Sequence, residues 1–329
     1  MRRFSPRIRL PARQRGVAVI TALLLTALAI TVVASLFWQQ QVQVRSMENQ
    51  RLRLQTQWAM RGMVDFARFW LRQDNPSLTA LDGVWATPIE EARLDDYVDR
   101  EKVDTEKFDA TVSGRALDAQ ARFNIANLVG ATGAINPAQV QAYQRLLSNM
   151  QLDGGLAQAT ADAVLRARPK PRTSSSDTGG DGKTASAASG GSSEPVAFTQ
   201  VEDLLAVPGY TPQMIEQLRD VVIILPELTA INVNTAPAEV LAAVTTMSLS
   251  EASALTLSNP RKKFVDLPNF KNNINGKQVI EGVELDVKSR YFLTVIRVRL
   301  DRAALDAVAL VNRKTDPART TSLVWLREN

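Results

Sequence analysis

The 329 residues include no histidine and no cysteine. Those absences remove thiol nucleophiles, disulfides, thiolate or imidazole metal sites, and every Ser-His or Cys-His catalytic pair. Hydroxyls, carboxylates and amines remain. Seven carboxylates crowd together at Asp95, Asp96, Asp99, Glu101, Asp104, Glu106 and Asp109, but basic residues are interspersed, which fits a solvated face better than an acidic cluster. Asp177 and Asp181 stand at the first and fifth positions of a calcium-type loop, with Gly182 at the sixth. The third position is Gly179 and the twelfth is Ala188, neither of which supplies a side-chain oxygen, so a flexible loop is the better reading. No Ser-x-x-Lys motif in a pocket context supports a hydrolase. The inventory of reactive groups points away from an enzyme.

The elements that must carry these residues are easier to read. The chain is 45% hydrophobic and 22% charged, values typical of a folded protein. Its net charge of +5 is uneven. Arg2, Arg3, Arg7, Arg9, Arg13 and Arg15 stand in residues 1–16 with no acid; without them, 33 basic residues face 34 acidic ones. The basic character belongs to this leader and says nothing about nucleic acid for the rest.

Val17 to Trp38 is a run of 22 residues without charge, Pro or Gly. As a helix it spans roughly 33 Å, about one bilayer hydrocarbon core. A secretory signal peptide would have a shorter apolar run and a small-x-small cleavage site. The arginines precede the run, so the positive-inside rule puts residues 1–16 in the cytoplasm and the remainder across the membrane. Gln39 to Gln73 continues with good helix formers, and Asp74-Asn75-Pro76 is a stop signal. One helix is expected from Val17 to Gln73, with Trp58, Phe66 and Trp70 on the face that packs against a domain.

An Arg-rich leader ending in Gly16, then an aliphatic run opening a long amphipathic helix, resembles the N-terminus of type IV pilins and pseudopilins. The resemblance implies that a prepilin peptidase cuts between Gly16 and Val17 and methylates the new amine. Most members carry glutamate as the fifth residue after the cut, whereas this chain has Thr21. That departure resembles one branch, the minor pseudopilins of the protein K family of type II secretion. An intrabilayer carboxylate neutralises a neighbour's N-terminal amine, and a subunit lacking it cannot make that pair but can be held from its other side.

Further segments resemble the same family in the same order: Trp85–Pro88, Leu117–Leu128, Ile231–Val240 (matching I-N-V-N-T-A-x-x-x-L) and Lys288–Phe292. Between them, short strands are expected at Asp109–Ser113 and Ala119–Asn124 about a turn at Ser113-Gly114, then helices from Asn136 to Arg168. Residues 173–194 hold 7 Ser and 5 Gly, a composition that cannot bury enough surface to order itself. Val201–Val222 reads helix, Pro208-Gly209 turn, helix, resembling a helix-hairpin-helix unit. A second copy is expected after Ile231, with Asn234 or Thr235 capping its helix. Such units often bind DNA backbone, but residues 201–270 hold four basic and eight acidic side chains, a net of −4, wrong for phosphate. The C-terminus alternates as an antiparallel meander: Ser289–Leu300, Ala307–Arg313 and Thr321–Leu326.

The expected fold is α+β, a pilin-like long N-terminal helix packed on an antiparallel sheet, with a large inserted all-α domain. Its divisions are a basic leader (1–16), a transmembrane helix (17–38), a periplasmic helix (39–75), an α/β domain (76–130 and 283–329) and the insertion (131–282). By resemblance, the partners are the minor pseudopilins I and J and the prepilin peptidase, at the tip of an inner-membrane-assembled pseudopilus that starts assembly or limits length. No nucleic-acid partner is expected; the competing reading is a membrane-anchored DNA-binding protein of a competence type. No cofactor follows from the residues. Calcium follows from the resemblance alone, and here Asp162 leads into Ala163-Val164-Leu165-Arg166 without the family's tyrosine pair.

Overall fold

The computed structural model describes residues 15–93, 110–168, 197–258, 261–314 and 319–328, with side chains from Val17 onward. The leader before Arg15, the acidic stretch at 95–109, Asp177, Asp181 and the Ser/Gly-rich segment lie outside the described residues. The chain divides into two units, Met1–Ala59 and Met60–Asn329.

The first unit is helical, formed by the greater part of α1 (Arg15–Gln73). Its apolar side chains from Val17 to Trp38 are exposed, and the helix is long and apolar enough to cross a membrane. The span's threonine hydroxyls bond within the helix. Thr26 donates to the Leu23 carbonyl at 2.9 Å and Thr31 to that of Leu28 at 2.8 Å. This internal bonding lets threonine sit in hydrocarbon without an orphaned donor.

The second unit begins with the last turns of α1, which bury Met60, Met63, Val64 and Leu71. Trp58, expected on this face, is 68% exposed. At 100° per residue it points about 200° away from Met60, off the stripe that Met60, Val64 and Leu71 define. Leu71 packs with Trp85, Phe292 and Val311, joining the helix to the sheet.

The sheet has five antiparallel strands in the order β1 (Ile89–Arg93), β2 (Ala110–Asp118), β7 (Tyr291–Leu300), β8 (Ala303–Arg313) and β9 (Thr321–Glu328). The alternation in β7 holds: Phe292, Thr294, Ile296, Val298 and Leu300 are all buried, while Arg297 and Arg299 on the other face are exposed. The expected turn at Ser113-Gly114 is absent, and β2 runs straight through it. Gly114 pairs with Ile296, and a Cβ there would sit 3.3 Å from the Val295 carbonyl oxygen. Glycine here permits a close approach of strands rather than a turn.

The chain leaves β2 at Asp118 and rejoins the sheet at Tyr291; Asp118 is paired directly with Phe292. The described residues between them form a helical body with its own core, running from Phe123 to Val287. It contains β3 (Phe123–Asn124), α2 (Pro137–Asn149), α3 (Leu156–Ala167), α4 (Pro212–Leu218), β4 (Val222–Ile223), β5 (Ile231–Asn232), α5 (Ala238–Val244), α6 (Leu249–Thr256), α7 (Leu267–Asn273) and β6 (Leu285–Asp286). The Asn136 side chain caps α2 by accepting from Ala138 N at 3.1 Å, with Pro137 at the first helical position.

The hairpin units differ from expectation. The first helix of the first unit is a 3-10 stretch, Val201–Ala206, followed by Gly209 at φ +105°. In the second, α5 starts behind Pro237 with no side-chain cap. Asn234 and Thr235 are both committed elsewhere, to Phe264 and Asp118 respectively.

Candidate functional site

Among the described residues of the second unit, a densely bonded polar group lies where the helical body meets the sheet. Asp118 ends β2 and is 5% exposed. Its Oδ1 accepts from Gln120 N at 2.8 Å, while Oδ2 accepts from Asn232 Nδ2 at 2.8 Å, Thr235 Oγ1 at 2.6 Å and Ser289 Oγ at 2.6 Å. Four donors on one carboxylate stabilise its charge, yet burial is the larger influence and raises the carboxyl above its ordinary value. Asn232 also donates to the Thr79 carbonyl at 3.0 Å and to Ser289 Oγ at 2.9 Å. One asparagine thus ties the insertion to the segment after α1, to the end of β2 and to the approach to β7.

The network continues to a buried ion pair. Arg313, at the end of β8 and 1% exposed, reaches Asp74 Oδ2 at 2.9 Å, Thr79 Oγ1 at 2.8 Å and the Ser289 carbonyl at 3.0 Å. Its guanidinium carbon stands 4.7 Å from the centre of the Phe292 ring. Asp74, read from sequence as part of a helix stop, is therefore also the counter-charge of a buried arginine. Gln120 completes the joint: its amide donates to the Ala230 carbonyl at 2.9 Å, and its oxygen accepts from Arg290 N at 2.6 Å. A second group lies alongside, in which Asn124 and Asn127 bond Thr229 and its backbone, at 2.8 to 3.1 Å.

On the other face of the sheet, Ala119, Ile223 and Leu225 cover Tyr291, Leu293 and Leu310. The Tyr291 hydroxyl donates to Glu227, and burial with that carboxylate raises its pKa well above the ordinary value. The insertion is therefore held by hydrogen bonds at the strand ends and by apolar cover on this face. Chemically the joint is a clamp: every Asp118 oxygen is occupied by protein donors, which makes for fixed geometry rather than turnover.

The residues singled out from sequence lie elsewhere. Gly16 and Val17 are in the first turn of α1, and Val17 is 63% exposed. Thr21 donates its hydroxyl to the Val17 and Ala18 carbonyls, each at 3.0 Å, so it makes an internal bond where the resemblance expects a carboxylate. Among the described residues no group of three or more carboxylates is placed to hold a metal ion. The cations of the hairpin region are committed within the protein. Arg219 pairs with Glu202 and Glu216, Lys263 pairs with Asp82, and Arg261 donates to the Ala236 carbonyl at 2.5 Å.

The joint was not recognised from sequence. Asp118, Asn232, Thr235, Ser289 and Arg313 are far apart in the chain and individually read as ordinary polar residues. Their signal was the set of family-like segments, because Leu117–Leu128, Ile231–Val240 and Lys288–Phe292 contain Asp118, Asn232, Thr235 and Ser289.

Comparison with known proteins meets this geometry. Two family profiles, both described as type II secretion system (T2SS) protein K, match residues 121–227 and 231–288, between them about half of the chain. The type II secretion system protein K of Pseudomonas aeruginosa is 26% identical over 314 residues, covering 92% of this chain and 90% of that protein. A chain of the crystal structure of the GspK-GspI-GspJ complex from the enterotoxigenic Escherichia coli type 2 secretion system shares the fold. It has a TM-score of 0.65 at 21% identity, over 86% of this chain and 99% of that one. The two profiles meet between residues 227 and 231, beside Thr229 and the Gln120 contact to Ala230, and with the ordered segments of the joint they identify the chain: it belongs to the type II secretion system protein K family.

Proposed function

We propose that this minor pseudopilin is made as an inner-membrane precursor and cut by the prepilin peptidase between Gly16 and Val17. It then occupies the pseudopilus tip with the minor pseudopilins I and J. There it starts assembly or limits length during export of folded proteins, through assembly contacts rather than catalysis. Its N-terminus faces the cytoplasm and its second unit the periplasm, a reading that the arginines before Val17 support. The observation that carries the tip position is the helical body from Phe123 to Val287, set between two adjacent strands of a pilin-like sheet. Its bulk obstructs any subunit stacked above it. The peptide bond at Gly16-Val17 lies in the first turn of α1, next to a span with no charge before Arg45.

Support for I and J as partners comes from the GspK-GspI-GspJ complex, whose chain shares this fold. The division expected from sequence, an α/β domain interrupted by a helical insertion at 131–282, is part of this reading with its junctions moved outward, to near Asp118 and Ser289. The test is the intact mass of the membrane-extracted chain made with and without a prepilin peptidase. Loss of residues 1–16 with one added methyl, only when the peptidase is present, is the expected result. A full-length mass in both, with the peptidase active on a control substrate, overturns the proposal.

A further inference from the structure

The turn after α7 carries a reactive dipeptide. Asn275-Gly276 is the one Asn-Gly pair in the 329 residues. It fills the two central positions of a β-turn closed by Lys277 N, which donates to the Ile274 carbonyl at 3.0 Å. Both residues have positive φ, +51° at Asn275 and +75° at Gly276, which makes the turn type I′. Both are exposed, and a Cβ at Gly276 would meet nothing within 4 Å. Among the described residues the Asn275 side chain has no hydrogen-bond partner, and the Gly276 nitrogen donates to none. A side-chain amide carbon and a free backbone nitrogen thus stand side by side in water. The neighbouring Asn273 is different. Its amide donates to the Asn269 carbonyl at 2.7 Å, its oxygen accepts from Lys262, and the branched Ile274 crowds the nitrogen that follows it.

We infer that Asn275 is a site of spontaneous covalent modification, at which the Gly276 nitrogen attacks the Asn275 side-chain amide and turns it into a carboxylate. The nitrogen gives its proton to hydroxide and bonds to Cγ. The Cγ–Nδ2 bond then breaks, and the leaving nitrogen takes a proton from water and departs as ammonia. The product is a five-membered imide. Water opens it at one carbonyl to an ordinary aspartyl residue, or at the other to an isoaspartyl residue whose main chain runs through the side chain. One water is consumed and one ammonia released; nothing is oxidised or reduced. The turn brings the reacting atoms together by one small motion. In the type I′ form the Gly276 nitrogen points away from the Asn275 side chain. Rotating the single peptide plane between the two residues gives a type II′ turn, whose first central residue keeps φ near +60° while its ψ becomes about −120°. That ψ eclipses the nitrogen with Cβ, as ring closure requires. The Ile274–Lys277 bond spans both turn types, and glycine accepts either sign of φ. The new carboxylate adds one negative charge two residues from Lys277, whose Nζ pairs with Glu251 at 3.2 Å.

The test incubates the detergent-extracted full chain at pH 7 and at pH 8.5, beside a sample denatured in guanidinium chloride, and maps its peptides by mass. In the folded chain the peptide 272–277 is expected to become about 1 Da heavier, with aspartyl and isoaspartyl forms both present at position 275. The intact chain gains an acidic band on isoelectric focusing. Conversion is expected to run roughly tenfold faster at pH 8.5 than at pH 7, because only the deprotonated nitrogen attacks. Asn275→Gln enlarges the ring by one atom and is expected to abolish the gain. Gly276→Val crowds the nitrogen with a branched side chain and is expected to slow conversion by at least about tenfold. A folded chain that stays unmodified while the denatured sample converts overturns the inference. So does an aspartyl product without the isoaspartyl one, which marks direct hydrolysis of the amide. A gain that persists in Asn275→Gln belongs to Asn272 or Asn273 and overturns it as well.

Discussion

Asp118 concentrates the energetics of the joint in one side chain. Removing it takes the Asp118 acceptor from the buried hydroxyls of Thr235 and Ser289, each at 8% exposure or less, and takes from Asn232 one of its three acceptors. Asp118→Ala is expected to cost on the order of 3 kcal/mol, and Thr235→Val about 1 kcal/mol, measured as urea unfolding of the detergent-extracted chain. The carboxyl also sets a pH dependence. Burial lifts it above its ordinary 3.8, so between that value and the raised one the native state holds a proton that the unfolded chain has lost. Stability therefore falls as pH rises through that interval, and Asp118→Asn removes that part of the slope. None of this was visible in the residue types. An aspartate followed by Ala-Gln-Ala reads as a loop until Asn232 and Ser289 are brought to it by the body's return to the sheet.

Among the elements, the hairpin turn at Gly209 is the least tolerant. Its φ is +105°, and a Cβ would fall 2.6 Å from Leu156 Cδ2 at the start of α3. Gly209→Ala is expected to lower stability by about 2 kcal/mol. Combined with Leu156→Ala it should cost less than the two separate losses added together, since one change relieves the clash the other makes; denaturation midpoints of the four proteins check this. Elements with a strong period were legible in the sequence: α1 from its apolar run, α2 from the helical spacing of its apolar residues, and β7 from its alternation. Those that fail the pattern were not. β1 carries Glu90 and Glu91 on an exposed sheet edge, so its apolar spacing is broken where water, not core, is its neighbour. The strand expected at Asp109–Ser113 stops five residues short of the end of β2 because Gly114 served as a turn signal, while its actual constraint is the neighbouring strand at Val295.

At the scale of the whole molecule, the sheet and the body depend on each other unequally. The body has a continuous core of its own, whereas the sheet exposes Leu293 and Leu310 if Ile223 and Leu225 are taken away. Replacing residues 119–290 by a short turn between Asp118 and Tyr291 is expected to leave a sheet that melts well below the intact chain, with spectroscopic strand content retained. A deletion that melts at the same temperature as the intact chain would show that the joint and the apolar cover add nothing. The antiparallel pairing of β2 with β7 bears on mechanical load as well. A pull between the chain ends enters β2 at Ala110 and leaves β7 at Leu300, and these two residues face each other at the same end of the ladder. Force opens that ladder like a zipper, one rung at a time toward Asp118 and Phe292. The body hangs beyond the last rung, so it carries no tension until the whole ladder has parted.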